Sequence, residues 1–97
     1  MPNRIKNKTL WRSIGKLKQK DWIKASKRLG LNVSTTGGRG SHCVIRDPKF
    51  KNPNDTRSLI ATIQKNLFKQ ANETIFKQFI NSGILEDDIW RALKMLK

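Results

Sequence analysis

The apolar residues of this chain change period at Gly30, and that change limits the fold more than any other feature of the sequence. Before it, from about Lys18 to Leu29, Trp22, Ser26 and Leu29 fall on one side of a helix with Ile23 beside them, while Lys20, Lys24, Lys27 and Arg28 face elsewhere. Gly30 follows the last periodic residue, where a helix commonly turns off through a left-handed conformation. Three short runs of strand character come next. Asn32–Thr36 is rich in β-branched residues, and Ser41–Arg46 lies beyond the flexible turn Gly37-Gly38-Arg39-Gly40, so the two form a hairpin. Asp47-Pro48 ends it, and Lys49 to Thr56, with Pro53, Asn54 and Asp55, reads as a loop. Ser58–Gln64 is the third strand. Helical spacing returns from Leu67 to about Asn81, where Phe68, Ala71, Ile75 and Phe79 form a stripe that Phe76 and Ile80 widen, and Ser82-Gly83 stops it. A last helix starts near Glu86, with Glu86, Asp87 and Asp88 matching the positive helix N-terminus and Ile89, Trp90, Leu93 and Leu96 supplying an apolar face.

The order α-β-β-β-α-α, without repeats or low-complexity segments, predicts an α+β fold: a three-stranded antiparallel sheet with helices on one face. A chain of 97 residues has room for one core and one domain. Residues 1–15 read as a basic tail or a short helix, since Leu10, Ile14 and Leu17 have helical spacing that Gly15 interrupts. Residues 16–97 read as the domain proper, with its additional C-terminal helix.

Charge narrows the partners. There are 21 Lys and Arg against 7 Asp and Glu, a formal net charge of +14. Residues 1–28 carry ten basic residues and one acid, whereas residues 66–97 carry five and four, so the excess lies toward the N-terminus. That asymmetry points to a polyanion, and nucleic acid is favoured over a merely soluble surface. A membrane surface fits less well, because the basic segment lacks a broad apolar face. No run approaches the roughly 20 apolar residues of a membrane-spanning helix, and no apolar signal core follows the basic start, so a cytoplasmic, unprocessed protein is expected. Cys43 is the single cysteine, which excludes an internal disulfide and a Cys-rich metal site. No cofactor is expected, and no paired-carboxylate pattern suggests a two-metal nuclease.

The segment Thr36 to His42 carries the candidate chemistry. Its glycines let the backbone turn and approach a ligand closely, and their N–H groups, helped by Arg39, can hold a phosphate. The segment lacks the Gly-Lys-Ser/Thr ending of a phosphate-binding loop, and a hairpin turn without ligand is the plainer reading. His42 is the single histidine, the residue type suited to moving protons near neutral pH. On RNA it can take the 2′-hydroxyl proton, so that this oxygen attacks the adjacent phosphorus, an effect of about 10²- to 10⁴-fold. One histidine cannot be acid and base in the same step, so a slow enzyme is expected. Strand alternation leaves two placements open. If Val44 points to the core, His42 does too; if Cys43 and Ile45 fill the core, His42 lies on the open face. Cys43 reads as a packing residue rather than a nucleophile. Trp11, Trp22 and Trp90 can stack on bases, but the helical spacing of Trp22 and Trp90 argues for core.

The run from Gly30 to Pro48, containing Gly-Arg-Gly-Ser-His-Cys-Val-Ile-Arg-Asp-Pro and preceded by Lys20-Asp21-Trp22-Ile23-Lys24, resembles the HicA toxin family of small mRNA-cleaving proteins from toxin–antitoxin pairs. The likeness spans about residues 16–64 and continues loosely into the next helix. It implies a fold like a double-stranded RNA-binding domain, an antitoxin partner of the HicB type, and His42 of Gly40-Ser41-His42 as the catalytic residue of a metal-independent endoribonuclease. Gly40 and Ser41 would shape the site, and Arg39, Lys20, Lys24 and Arg46 are the candidate phosphate contacts. The family often has Pro and a His or other polar residue near the end of the third strand. Here that place reads Ile63-Gln64-Lys65-Asn66, with neither Pro nor His. A non-catalytic double-stranded RNA-binding module is the alternative, since it needs the basic surface but not the histidine chemistry.

Overall fold

The computed structural model describes residues 5–36, 42–50 and 56–96. The elements are α1 (Lys8–Arg12), a 3₁₀ turn (Ile14–Lys16), α2 (Gln19–Arg28), β1 (Asn32–Thr36), β2 (His42–Arg46), a second 3₁₀ turn (Thr56–Ser58), β3 (Leu59–Gln64), α3 (Lys69–Asn81) and α4 (Glu86–Ala92). The sheet is antiparallel in the order β1-β2-β3, so β2 is central. The architecture is the expected α+β layout. Among the described residues no helix is long and apolar enough to cross a membrane.

The helices and one sheet face share a core. Cys43, Ile45 and Ile63 point into it from the sheet, and Trp22, Ala25, Ile75, Phe76, Phe79, Ile89 and Trp90 from the helices. Phe76 is the aromatic hub, with Trp11, Trp22 and Trp90 around it at ring-centroid distances of 5.5, 6.5 and 4.3 Å. Trp22 and Trp90 are thus core residues, while half-buried Trp11 is packed edge-on against Phe76 beneath the Lys77 ammonium. Asn72 is buried among these rings. Its Oδ1 accepts from Trp22 Nε1 at 2.8 Å and its Nδ2 donates to the Leu17 carbonyl at 3.1 Å. Ile60 and Ala61 are buried in succession because β3 bulges between the rungs Ile45↔Ala61 and Arg46↔Leu59, which turns two neighbouring side chains to one face.

Residues 1–15 read from sequence as a basic tail or short helix; their described part, residues 5–15, is packed with residues 16 and 17 onto the helical layer. Ile5, Ile14 and Leu17 are buried. The Glu86 carboxylate holds the segment in place, accepting from the backbone N–H groups of Lys6 at 2.7 Å and Asn7 at 2.8 Å and from Trp90 Nε1 at 2.9 Å. Gly15 allows the close approach to α3, since a β-carbon there would lie 3.2 Å from Lys69 Cβ. At the start of α3 the expected stripe loses one member. The helix begins at Lys69, Phe68 is its extended N-terminal cap, and the Phe68 ring is left 63% exposed while Asn72, Ile75, Phe76 and Phe79 form the buried face.

Candidate nucleic-acid interface

The alternation of β2 settles where His42 lies. Cys43 and Ile45 are fully buried against the helices, so His42 stands exposed on the open face of the sheet, with Val44 half-buried beside it. The same burial pushes the Cys43 thiol above its ordinary value, and the positive charge of Lys27 opposes that only in part. A protonated thiol in the core is a packing group, as its place in the sequence suggests.

His42 is the first residue of the central strand, and its register partners are Thr36 on β1 and Gln64 on β3. This rung ends the sheet on the side of the β1–β2 connection. Directly opposed residues of antiparallel strands have Cα atoms about 4.5–5.5 Å apart, so Gln64 is the nearest polar residue that β3 can offer His42. The alternating exposure of Thr62, Ile63 and Gln64 puts the Gln64 side chain on the face that carries His42. In the sequence alone Gln64 is no more than a departure from a motif. Its significance depends on the register, which a sequence of short strands does not specify.

The first turn of α2 lies at the same end of the sheet. Gln19 Nε2 donates to the Ile63 carbonyl at 3.0 Å, one residue before Gln64, and occupies an acceptor on the outer edge of β3. Asp21 closes this turn, its carboxylate accepting from the Lys18 backbone N–H at 2.8 Å. Lys20 and Lys24 project into solvent from α2, without a carboxylate partner among the described residues. They belong to the helical layer, whereas His42 faces away from it. Lys20, next to Gln19, is at the His42 end of the sheet.

Arg46 is placed differently. It ends β2 four residues from His42, which at 3.3–3.4 Å per residue is about 13 Å away. Its Nη1 donates to Ser58 Oγ at 3.1 Å, tying β2 to the turn before β3. The structure therefore does not bring Arg46 together with His42. Arg39, Gly40 and Ser41 lie outside the described residues. Among the described residues no group of three or more His, Cys, Asp or Glu side chains converges to hold a metal ion.

Beside the His42–Gln64 rung, between β3 and the start of α3, runs an open groove of about 430 Å³. Thr62 and Gln64 form one wall, and Phe68, Gln70, Thr74 and Gln78 the other. Sequence reasoning misses it, because helical spacing assigns Phe68 to the core.

No protein-family profile matches this chain, and neither a curated protein nor a solved structure is significantly similar to it.

Proposed function

We propose that the chain is an endoribonuclease of the mRNA-cleaving toxin type, acting in the cytoplasm and restrained by a protein antitoxin. The observation that carries this reading is the exposure of the single histidine at the end of the central strand, while its neighbours Cys43 and Ile45 fill the core. A histidine retained only for packing would be expected on the other face. The formal charge of +14 and the likeness of Gly40-Ser41-His42 to the HicA motif supply the substrate class.

In this reading His42 takes the proton of a 2′-hydroxyl. The freed oxygen attacks the adjacent phosphorus and the 5′-oxygen leaves, giving a 2′,3′-cyclic phosphate and a 5′-hydroxyl. A second group, water or a lysine, must protonate the leaving oxygen, since one imidazole cannot serve both oxygens in a concerted step. Gln64 can donate from its amide to a phosphoryl oxygen beside His42, and Lys20 and Lys24 hold the strand by its phosphates. The resemblance adds Arg39, Gly40 and Ser41, which lie outside the described residues, as further candidate phosphate contacts. His42→Ala is expected to lose cleavage by at least about 10²-fold while circular dichroism and melting temperature stay unchanged. Loss of folding in this variant would return His42 to a structural role.

A second reading has its own support. The exposed lysines of α2, on a fold with helices on one sheet face, suit a module that grips double-stranded RNA by its phosphates and 2′-hydroxyls. In that case His42→Ala changes neither binding nor folding, and wild type cuts nothing.

A further inference from the structure

We propose that the groove between β3 and the start of α3 is a nucleobase subsite, which takes one unpaired base of the RNA beside the phosphate at His42 and stacks it on the Phe68 ring. The inference rests on the ribonuclease reading for its substrate. Its support is separate from the histidine chemistry.

Three observations converge. The first is chemical. In a chain of net charge +14, no charged side chain among the described residues lines this groove. Its lining includes the glutamines Gln64, Gln70 and Gln78 and the threonines Thr62 and Thr74, together with aliphatic residues. Phosphate would seek the lysines. A nucleobase, neutral and edged with donors and acceptors, suits amides, each of which offers both. Thr74 Oγ1 donates to the Gln70 carbonyl at 3.1 Å, which orients its lone pairs as acceptors. The second is the exposed aromatic ring. Phe68 is 63% accessible although a helix of matching apolar spacing begins at the next residue. A stacking platform for an unpaired base needs such a ring, and stacking tolerates any base because every base has a π-face. The third is position. Gln64 belongs both to the groove wall and to the rung of His42, so a base in the groove and a phosphate at His42 fit adjacent parts of one strand. The volume of about 430 Å³ falls within the roughly 300–1,000 Å³ of small-molecule sites. Such a subsite would require single-stranded RNA at the cut and would set which base is preferred there.

The test measures binding rather than cleavage. Fluorescently labelled single-stranded oligoribonucleotides, with an abasic residue at each position in turn, are titrated with the full chain carrying His42→Ala, so that no turnover intervenes. One position should lose about tenfold in affinity when its base is removed. Adding Phe68→Ala should cost a similar factor on intact RNA and almost nothing on RNA already lacking that base, while Phe68→Trp should retain affinity. Equal losses on both RNAs, or none, overturn the subsite; the latter is also the result if the groove instead seats an apolar peptide. Failure of wild type to cleave would remove the ribonuclease reading and leave a base-dependent Phe68 effect standing. Absence of RNA binding altogether would overturn both.

Discussion

Asn72 occupies the centre of an aromatic core, and both ends of its amide are used, by Trp22 Nε1 and by the Leu17 carbonyl. It connects α2, α3 and the segment before α2 in a single buried network. Truncation would strand a donor and an acceptor away from water, each costing about 1–3 kcal/mol. Asn72→Ala is therefore expected to lose about 3 kcal/mol in urea unfolding, and a loss below about 1 kcal/mol would show that these groups find other partners. The sequence contains the signal, since Asn72, Phe76 and Phe79 share a helical phase. A competing stripe through Phe68, Ala71 and Ile75, whose last two members precede Asn72 and Phe76 by one residue each, obscures it. His42 is ambiguous in sequence for a related reason. Alternation gives two faces but does not say which one the helices cover, and the burial of Cys43 and Ile45 decides it.

At the scale of elements, α2, α3 and α4 end in the same way. After each helix one residue takes a left-handed conformation: Gly30 at φ +78°, Gly83 at φ +100° and Lys94 at φ +64°. The next N–H folds back to a carbonyl of the last turn, Leu31 to Ser26, Ile84 to Phe79 and Met95 to Trp90. The two glycines are legible as helix stops, and Lys94 is not, because nothing in its side chain asks for this conformation. Lys94 bears the strain that a β-carbon incurs there, so Lys94→Gly should raise stability by about 1 kcal/mol, read as an increase in melting temperature. A decrease would mean that the lysine side chain outweighs the strain. The docking of residues 5–17 is also hidden from the sequence, since its anchor, Glu86, is 80 residues from Lys6 along the chain. Burial alone would raise the Glu86 carboxyl, but the N–H groups of Lys6 and Asn7, the Trp90 indole and the Lys6 charge together hold it below its ordinary value. The sign follows directly. The clamp is intact above the ordinary glutamate value of about 4.3 and weakens as pH falls through the lowered one. Hydrogen exchange at the Lys6 and Asn7 amides should be protected at pH 6 and lose protection in acid. Glu86→Ala should show the unprotected rate at both, and protection surviving in that variant would contradict the clamp.

Across the whole molecule, charge and shape divide the work. Among the described residues, helices cover one face of the sheet, while the other face, with His42 and Gln64 at one end, is left open. That helices cover one face of a sheet is legible because the period changes at Gly30 and again near Leu67, whereas the face that carries His42 and Gln64 is not. Nor is the groove, since it needs the relative placement of β3 and α3. In the proposed reading the lysines on α2 act at this scale, as a field that draws in a polyanion. Lys20→Ala with Lys24→Ala should weaken binding to all RNA sequences alike and lower the slope of log affinity against log salt by roughly 0.7 for each phosphate that is no longer neutralised. An unchanged slope would place the RNA elsewhere on the surface. Whether the bound strand is then cut is the central claim. Its most direct measurement is the fate of an end-labelled single-stranded RNA incubated with the wild-type chain in EDTA, beside the same RNA with one 2′-deoxy residue at the cut. The account predicts a 2′,3′-cyclic phosphate and a 5′-hydroxyl from the first and no cut at that position in the second. Cleavage that survives the 2′-deoxy substitution, or an intact RNA bound to folded protein, would contradict it.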